Sequence, residues 1–276
     1  SSDLKDLAKR VIPKQVLPIA QKIYRRFNSH HPDVYFSQKE YDELSALKCL
    51  ISYNKYGGYC VPVSSSHREA AKRIILHDVY EPETIEFMVS NCHGGDIVHA
   101  GTYFGDFLPA LSHGVALHSK IWAFEPNPEN YRCTKITLEI NGVENVVLKE
   151  AGLGAKEESL FIKTISEDGL PLGGASKIVT DSPPDLAGVE VAKITTIDTT
   201  IDTDRDISII QLDVEGHEKE ALAGALKTIQ RCLPIIIIEI LPNSVLLNSN
   251  WFAENILSLG YRKIRKIHGN SVFSCK

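Results

Sequence analysis

The sequence lacks long apolar runs. None of its 276 residues belongs to a stretch approaching the roughly 18 apolar residues that a membrane-spanning helix needs. The longest run, Ile235–Ile238, has the length of a buried strand. Cysteine is sparse and unpaired in pattern: Cys49, Cys60, Cys92, Cys133, Cys232 and Cys275 form no CxxC and share no regular spacing. That argues against a zinc site and a disulfide framework, and for reduced thiols in a cytoplasmic protein. Positive charge is not in excess. Thirty Lys and Arg against 35 Asp and Glu leave a net charge of −5, without the footprint of a nucleic-acid binder. A secretory signal core, internal repeats and low-complexity tracts are missing as well.

What remains is the composition of a globular protein, 43% hydrophobic and 24% charged, enough for a sizeable core. The length favours one large α/β domain with a helical extension, divided here into an N-terminal helical extension and cap over residues 1–90 and a ligand-binding domain over 91–276. Residues 3–27 carry apolar positions at helical spacing, interrupted by Pro13, with seven Lys or Arg against two Asp. This arm either docks its apolar stripe on the body or meets a membrane surface or partner through residues 4–27. Assembly into a homo-oligomer is left open. Ser37-Gln-Lys-Glu40 is a capping box, after which Tyr41, Leu44, Leu47 and Ile51 fall on one helical face. Tyr56 to Pro62 reads as a hairpin or loop. A second box, Ser66-His-Arg-Glu69, opens another helix, and Glu81-Pro82-Glu83 a third.

From Asp96 onward, short apolar strands alternate with helical patterns. Strands are expected at Asp96–Ala100, Lys120–Glu125, Val146–Glu150, Ile209–Asp213, Ile235–Ile240, Arg262–Ile267 and Ser271–Ser274, and helices from Asn127 to a stop at Gly142 and from Glu218 to about Arg231. Such alternation builds a mostly parallel sheet covered on both faces. The last two strands meet through Gly269-Asn270 and must be antiparallel, because no crossover fits between them.

The chemistry is concentrated at the strand ends. Gly101 permits a sharp turn after the first strand of the sheet, and Gly105 sits where a helix is expected to start, so a ligand can approach the backbone closely. Glu125 stands 20 residues beyond Gly105, where a carboxylate grips a ribose diol. That much also fits NAD. The loop, however, is GxxxG and lacks the glycine that admits a pyrophosphate, the sheet ends in an antiparallel hairpin, and a polar run, Gln211-Leu-Asp-Val-Glu-Gly-His-Glu218, follows the fourth strand. These three features favour S-adenosylmethionine, with His99, Gly101, Thr102, Gly105, Glu125, Pro126, Ala151, Gly152 and Asp213 as its binding residues.

The Gly101–Gly105 loop, Phe124-Glu-Pro126, Asn145–Gly154, Asp213-Val-Glu-Gly-His-Glu218 and Pro234–Glu239 together resemble the FkbM family of methyltransferases. The resemblance extends over about Tyr59 to Ser274. It implies a class I, Rossmann-like methyltransferase fold with a seven-stranded sheet, and methyl transfer to oxygen on a sugar, glycan or polyketide-like acceptor. The family has an acidic residue near the cofactor's amino group where this chain has His99, and Glu81 is a candidate for the missing charge.

Transfer to an alcohol needs an aligned nucleophile, exclusion of water and a base. Asp213 is placed nearest the methyl group, His217 is the base by its ordinary pKa, and Glu215 or Glu239 orients it. A divalent cation on Asp213, Glu215 and Glu239 is the rival reading and is less favoured. A third is that Glu215 and Glu218 merely favour the N-terminus of the next helix. Residues 166–184 are long and polar enough to form a lid, touching ligand through Gly173–Lys177. Tyr56, Tyr59 and Tyr103 are candidates to line the acceptor. The alternatives to a methyltransferase are an NAD-linked oxidoreductase and a cofactor-binding module without catalysis. Methylation of nitrogen in protein or nucleic acid is disfavoured by the absence of an Asn-Pro-Pro-Tyr motif.

Overall fold

The computed structural model describes residues 47–179 and 188–275. The basic arm, the Ser37–Glu40 capping box and the end of the 166–184 stretch therefore lie outside the described residues. Every element below belongs to the unit Leu47–Lys276.

The first elements are strands β1 (Cys49–Asn54) and β2 (Gly57–Pro62), an antiparallel hairpin. The helical face expected through Ile51 gives way to β1, because Leu50, Ile51 and Tyr53 suit a pleated surface and Gly57, at φ 148°, supports the tight return. Helices α1 (Glu69–Ile75) and α2 (Pro82–Asn91) follow. Pro82 starts α2 as its sequence predicts. The second capping box does not form, since the Ser66 hydroxyl donates to the Val63 carbonyl and leaves Arg68 as the N-cap residue.

Next come β3 (Asp96–Ala100), α3 (Leu108–Gly114), β4 (Ile121–Phe124), α4 (Pro128–Asn141) and β5 (Val146–Lys149). Asn127 caps α4 by accepting from the Glu129 and Asn130 amides, and Gly142 ends it in a left-handed conformation at φ 63°. The chain then builds β6 (Gly152–Leu153), β7 (Glu158–Lys163), β8 (Lys177–Val179) and β9 (Val189–Thr195) before a short α5 (Ile197–Thr200). It closes with β10 (Ile207–Leu212), α6 (Glu218–Ala223), α7 (Leu226–Cys232), β11 (Ile235–Glu239), α8 (Asn250–Asn255), β12 (Arg262–Ile267) and β13 (Asn270–Ser274).

The main sheet has seven strands in the order β12-β13-β11-β10-β3-β4-β5. Neighbours from β11 to β5 are parallel, and β13 runs against both β11 and β12. Alternate residues feed two cores. Val98, Phe124, Ile210, Leu212 and Ile238 pack on one face, and Ile97, Ala123, Ile209 and Ile237 on the other. Burial of both faces is why these strands read as continuous apolar runs. A second sheet, β6-β9-β7-β8, lies in the sequence between β5 and β10. The single helix expected over 218–231 is two helices broken at Gly224, where a Cβ would meet the Gly154 carbonyl oxygen at 2.0 Å. All six cysteines are free thiols. Among the described residues, no helix is long and apolar enough to cross a membrane.

The chain leaves β3 for β4 on one side and returns after β5 to β10 on the other. This makes the β3–β10 boundary the switch point, outside whose carboxyl ends open α/β sheets bind ligands.

Candidate active site

Gly101 and Asp213 end the two strands that flank the switch point. The Asp213 amide donates to the Ala100 carbonyl at 3.1 Å. Gly101 has φ 81°, and a Cβ there would lie 1.8 Å from the Asp213 carbonyl oxygen. The glycine is thus needed for the approach of two strand ends as well as for its backbone conformation. Gly105 also has positive φ, 83°, but α3 begins only at Leu108. Its missing side chain makes room for Thr134 of α4, at 3.1 Å from a built Cβ, so the expected helix start at Gly105 is corrected to a packing contact.

Glu125 follows β4 and is 3% exposed. It accepts from the Tyr103 amide at 2.8 Å and the Asn127 amide at 2.9 Å, with Asn130 Nδ2 at 3.4 Å. Burial pushes its carboxyl up to about 8 against those stabilising bonds. Glu125, Pro126, Gly152, Leu153, Ile178 and His217 are among the residues lining a narrow cleft. Ala151 is buried next to this wall.

A second, larger cavity adjoins the first, and Gly101, Gly174 and Asp213 line both. Asp213, Glu215 and Glu239 come together here, joined by Glu81 and Asp106. Burial holds Asp213 well above the usual carboxylate range, and Glu239, also hydrogen-bonded to it, and Glu215 push the same way. Burial likewise lifts Glu215 and Asp106 to about 7 each. Glu81, Tyr103 and Glu215 all hold left-handed backbone, at φ 45°, 51° and 52°. Strain of this kind collects where surrounding structure fixes a functional geometry.

His99 also faces this cavity. Register places it opposite Gln211, whose side-chain oxygen meets its Nδ1, and its ring stacks on Phe107 with centroids 5.3 Å apart. Its Nε2 has no partner, and neither do the Thr102 hydroxyl, Asn130 Oδ1 or Asn270 Oδ1. Orphaned buried polar atoms are rare in folded proteins and mark a place for a ligand. His99, Thr102 and Asn130 lie around the ends of β3 and β4, and Asn270 opposite Glu239 at the end of β11.

His217 is the residue the structure separates from the rest. It lines the first cleft, and its Nδ1 lies 3.9 Å from Glu220 Oε2, so its partner is Glu220 rather than Glu215 or Glu239. Among the described residues, no group of three or more His, Cys, Asp or Glu side chains is placed to hold a metal ion. Gly174 reaches both cavities and Ser176 the first. Tyr103 lines the second, whereas Tyr59 is wholly buried and Tyr56 packs against a core cluster. Sequence reasoning missed Arg68, Tyr80, Asp106 and Asn270, all in the wall of the second cavity. Asp106 had a signal in following Gly105 directly. Arg68 and Asn270 come from a helix start and a hairpin with no motif of their own.

A family model described as the Methyltransferase FkbM domain matches residues 99–262, more than half of the chain. No curated protein matches it. Among solved structures, the chain is similar to a methyltransferase FkbM from Methylobacillus flagellatus KT at 20% identity and TM-score 0.45, covering 66% of this chain and 43% of that one. The chain therefore spans less than half the length of that relative. It is also similar to a SAM-dependent methyltransferase from Aquifex aeolicus, at 17% identity and TM-score 0.36, over 75% of this chain and 98% of that one. A third is the tRNA (uracil-54, C5)-methyltransferase of Pyrococcus abyssi in complex with S-adenosyl-L-homocysteine, at 11% identity and TM-score 0.42, over 82% and 43% of the two chains.

Proposed function

The chain belongs to the FkbM methyltransferase family, and from that premise we propose that it methylates a hydroxyl oxygen of a sugar, glycan or polyketide-like small molecule. The observation that carries this reading is the meeting of two cavities at Asp213, the first bordered by Glu125 and the second by the acidic cluster. S-adenosylmethionine, when bound, supplies a methyl group activated by its sulfonium.

Glu125 grips the ribose hydroxyls, and Pro126, Gly152 and Leu153 lie along the adenine. His99 and Thr102 receive the methionine end with their free polar atoms, and Arg68, whose Nε is also without a partner, takes its carboxylate. Asp213 stands between the cavities and orients the acceptor hydroxyl. Asp213, hydrogen-bonded to Glu239, would take up the hydroxyl proton, while the bound cofactor would supply the methyl group by exchanging its bond to sulfur for one to the acceptor oxygen. A raised carboxylate pKa suits that task, because proton transfer is most efficient when the base titrates near the working pH. This assigns the base to the pair and leaves His217 a place on the adenosine side.

Thermal unfolding with S-adenosylhomocysteine and with NAD tests the cofactor, since only a ligand of the folded state raises the midpoint. S-adenosylhomocysteine is expected to stabilise the chain and NAD to leave it unchanged; the reverse would end the methyltransferase reading. Asp213→Asn should keep S-adenosylhomocysteine affinity within about three-fold and lower methyl transfer by about 100-fold or more, the usual scale of a lost acid–base group. Mass spectrometry of glycan and polyketide acceptors incubated with labelled cofactor identifies the methylated atom.

A further inference from the structure

We propose that the acceptor carries a basic amino group close to the hydroxyl that is methylated, so that the second cavity recognises an ammonium-bearing polyol of the amino-sugar or aminocyclitol class. This rests on the methyltransferase reading above and names the substrate class of the same site.

The argument starts from two side chains that are each 2% exposed, His99 and Asn270. His99 Nδ1 faces the side-chain oxygen of Gln211. An amide oxygen only accepts, so the ring proton is on Nδ1 and Nε2 presents a bare lone pair. Asn270 uses its Nδ2 to donate to Glu81 Oε2 at 2.9 Å, which leaves its Oδ1 as an acceptor. Both free atoms lack a partner, and both residues line the second cavity. These two buried atoms offer the cavity acceptors rather than donors.

The charged groups repeat the pattern. Glu215 and the Asp213–Glu239 pair share the cavity, with Arg68 as its one fixed cation among the described lining residues. Asp106 is served in part by the backbone amides of Asp106 and Phe107, and Glu81 by Thr84 and Asn270. Glu215 is attracted by Arg68 and Lys177 but repelled by Glu239 and Glu218, and Glu215 and Glu239 both press on Asp213. A bound cofactor brings a single ammonium, and its carboxylate occupies Arg68. Its sulfonium would supply the methyl group. With His99 given to that ammonium, Asn270 Oδ1 and Glu215 remain for the acceptor. A neutral or anionic acceptor would leave buried lone pairs and negative charge uncompensated, which is costly. An ammonium supplies both donors and charge.

The same reasoning fixes which atom is methylated. An amine held against carboxylates stays protonated and has no lone pair for attack. The neighbouring hydroxyl does, and its proton leaves to the Asp213–Glu239 pair.

The test is a binding measurement. The full chain, saturated with S-adenosylhomocysteine, is titrated calorimetrically at neutral pH with glucosamine, 2-deoxystreptamine, their N-acetylated forms and glucose. At least one free amine is expected to bind ten-fold or more tightly than its acetylated form and than glucose. Glu215→Gln, likewise saturated with S-adenosylhomocysteine, should remove most of that preference. Equal binding of amine and amide, preference for the neutral probes, or no binding of either amine overturns the proposal, whatever the variant does. Failure of S-adenosylhomocysteine itself to bind is a different outcome, which removes the methyltransferase reading on which the proposal stands.

Discussion

A histidine enclosed at the end of a central strand has to remain neutral, because a buried imidazolium without a carboxylate partner loses its hydration for nothing in return. Burial accordingly lowers His99 to about 4, only partly offset by its bond to Gln211. The sign follows from linkage. The unfolded chain takes up the proton near pH 6.5 and the folded chain only near 4, so this contribution is complete above pH 6.5 and is lost as pH falls towards 4, on the order of 3 kcal/mol in all. Denaturant midpoints of the native chain and His99→Gln between pH 4 and 7 check it. The gap between the two curves should change by that order across the window, and parallel curves would refute it. Gly101→Ala tests the other critical residue, since positive φ and a Cβ 1.8 Å from a backbone oxygen should together cost at least about 2 kcal/mol. Gly101, Glu125 and Asp213 were legible in the sequence because each follows directly on an apolar strand, at the end where such sheets bind ligands. Arg68 and Asn270 were not. They reach the cavity from segments distant in sequence, and a polar residue in a loop looks alike whether it faces solvent or a ligand.

The same contrast holds for the elements. The central strands β3, β4, β10 and β11 of the main sheet were legible through their double-sided burial, and the closing hairpin through the shortness of its connection. The four-stranded sheet was not. In β7 and β9 the charged residues Glu158, Lys163, Glu190 and Lys193 interrupt the apolar positions, and only Ile162, Ala192 and Ile194 are deeply buried, so no run stands out. The break between α6 and α7 was hidden for another reason. Asp198, from α5, accepts from the Lys227 and Thr228 amides and from the Thr228 hydroxyl, and so caps α7 from a position remote in sequence. Asp198→Ala should cost about 1 kcal/mol, read from the denaturant midpoint. Asp96 at the start of β3 is a stronger tie. Its carboxylate, 1% exposed, accepts from the Lys120 amide, the Trp122 indole and the Arg205 guanidinium, joining β3 to β4 and to the approach to β10. Asp96→Ala leaves Arg205 and Trp122 without their acceptor, and a loss of about 3–5 kcal/mol is expected. A loss under about 1 kcal/mol would mean that water replaces the carboxylate at no cost.

At the scale of the molecule, the active site sets how stability responds to pH. Asp106 and Glu215 titrate near 7 and Glu125 near 8, each raised above its unfolded value chiefly by burial. A carboxyl raised on folding stabilises the protein fully below its unfolded pKa, and that contribution is lost as pH rises through the folded value. His99 works in the opposite sense, but only below pH 6.5. Between about pH 6.5 and 8 these carboxyls therefore act without it, and the ligand-free chain should become less stable across that interval. Glu125→Gln should flatten the upper part of the decline, because an amide in the same place has nothing to ionise. Bound S-adenosylhomocysteine changes the balance, bringing an ammonium to the acidic cavity and ribose hydroxyls to Glu125. Both are held more strongly by ionised carboxylates than by neutral carboxyls. The rise in melting temperature caused by a fixed excess of S-adenosylhomocysteine should hence be larger at pH 8 than at pH 6.5. A rise that is the same at both values, with Glu125→Gln matching the native chain throughout, would show that these carboxyls do not meet the ligand, and would move the cofactor away from the ends of β3 and β4.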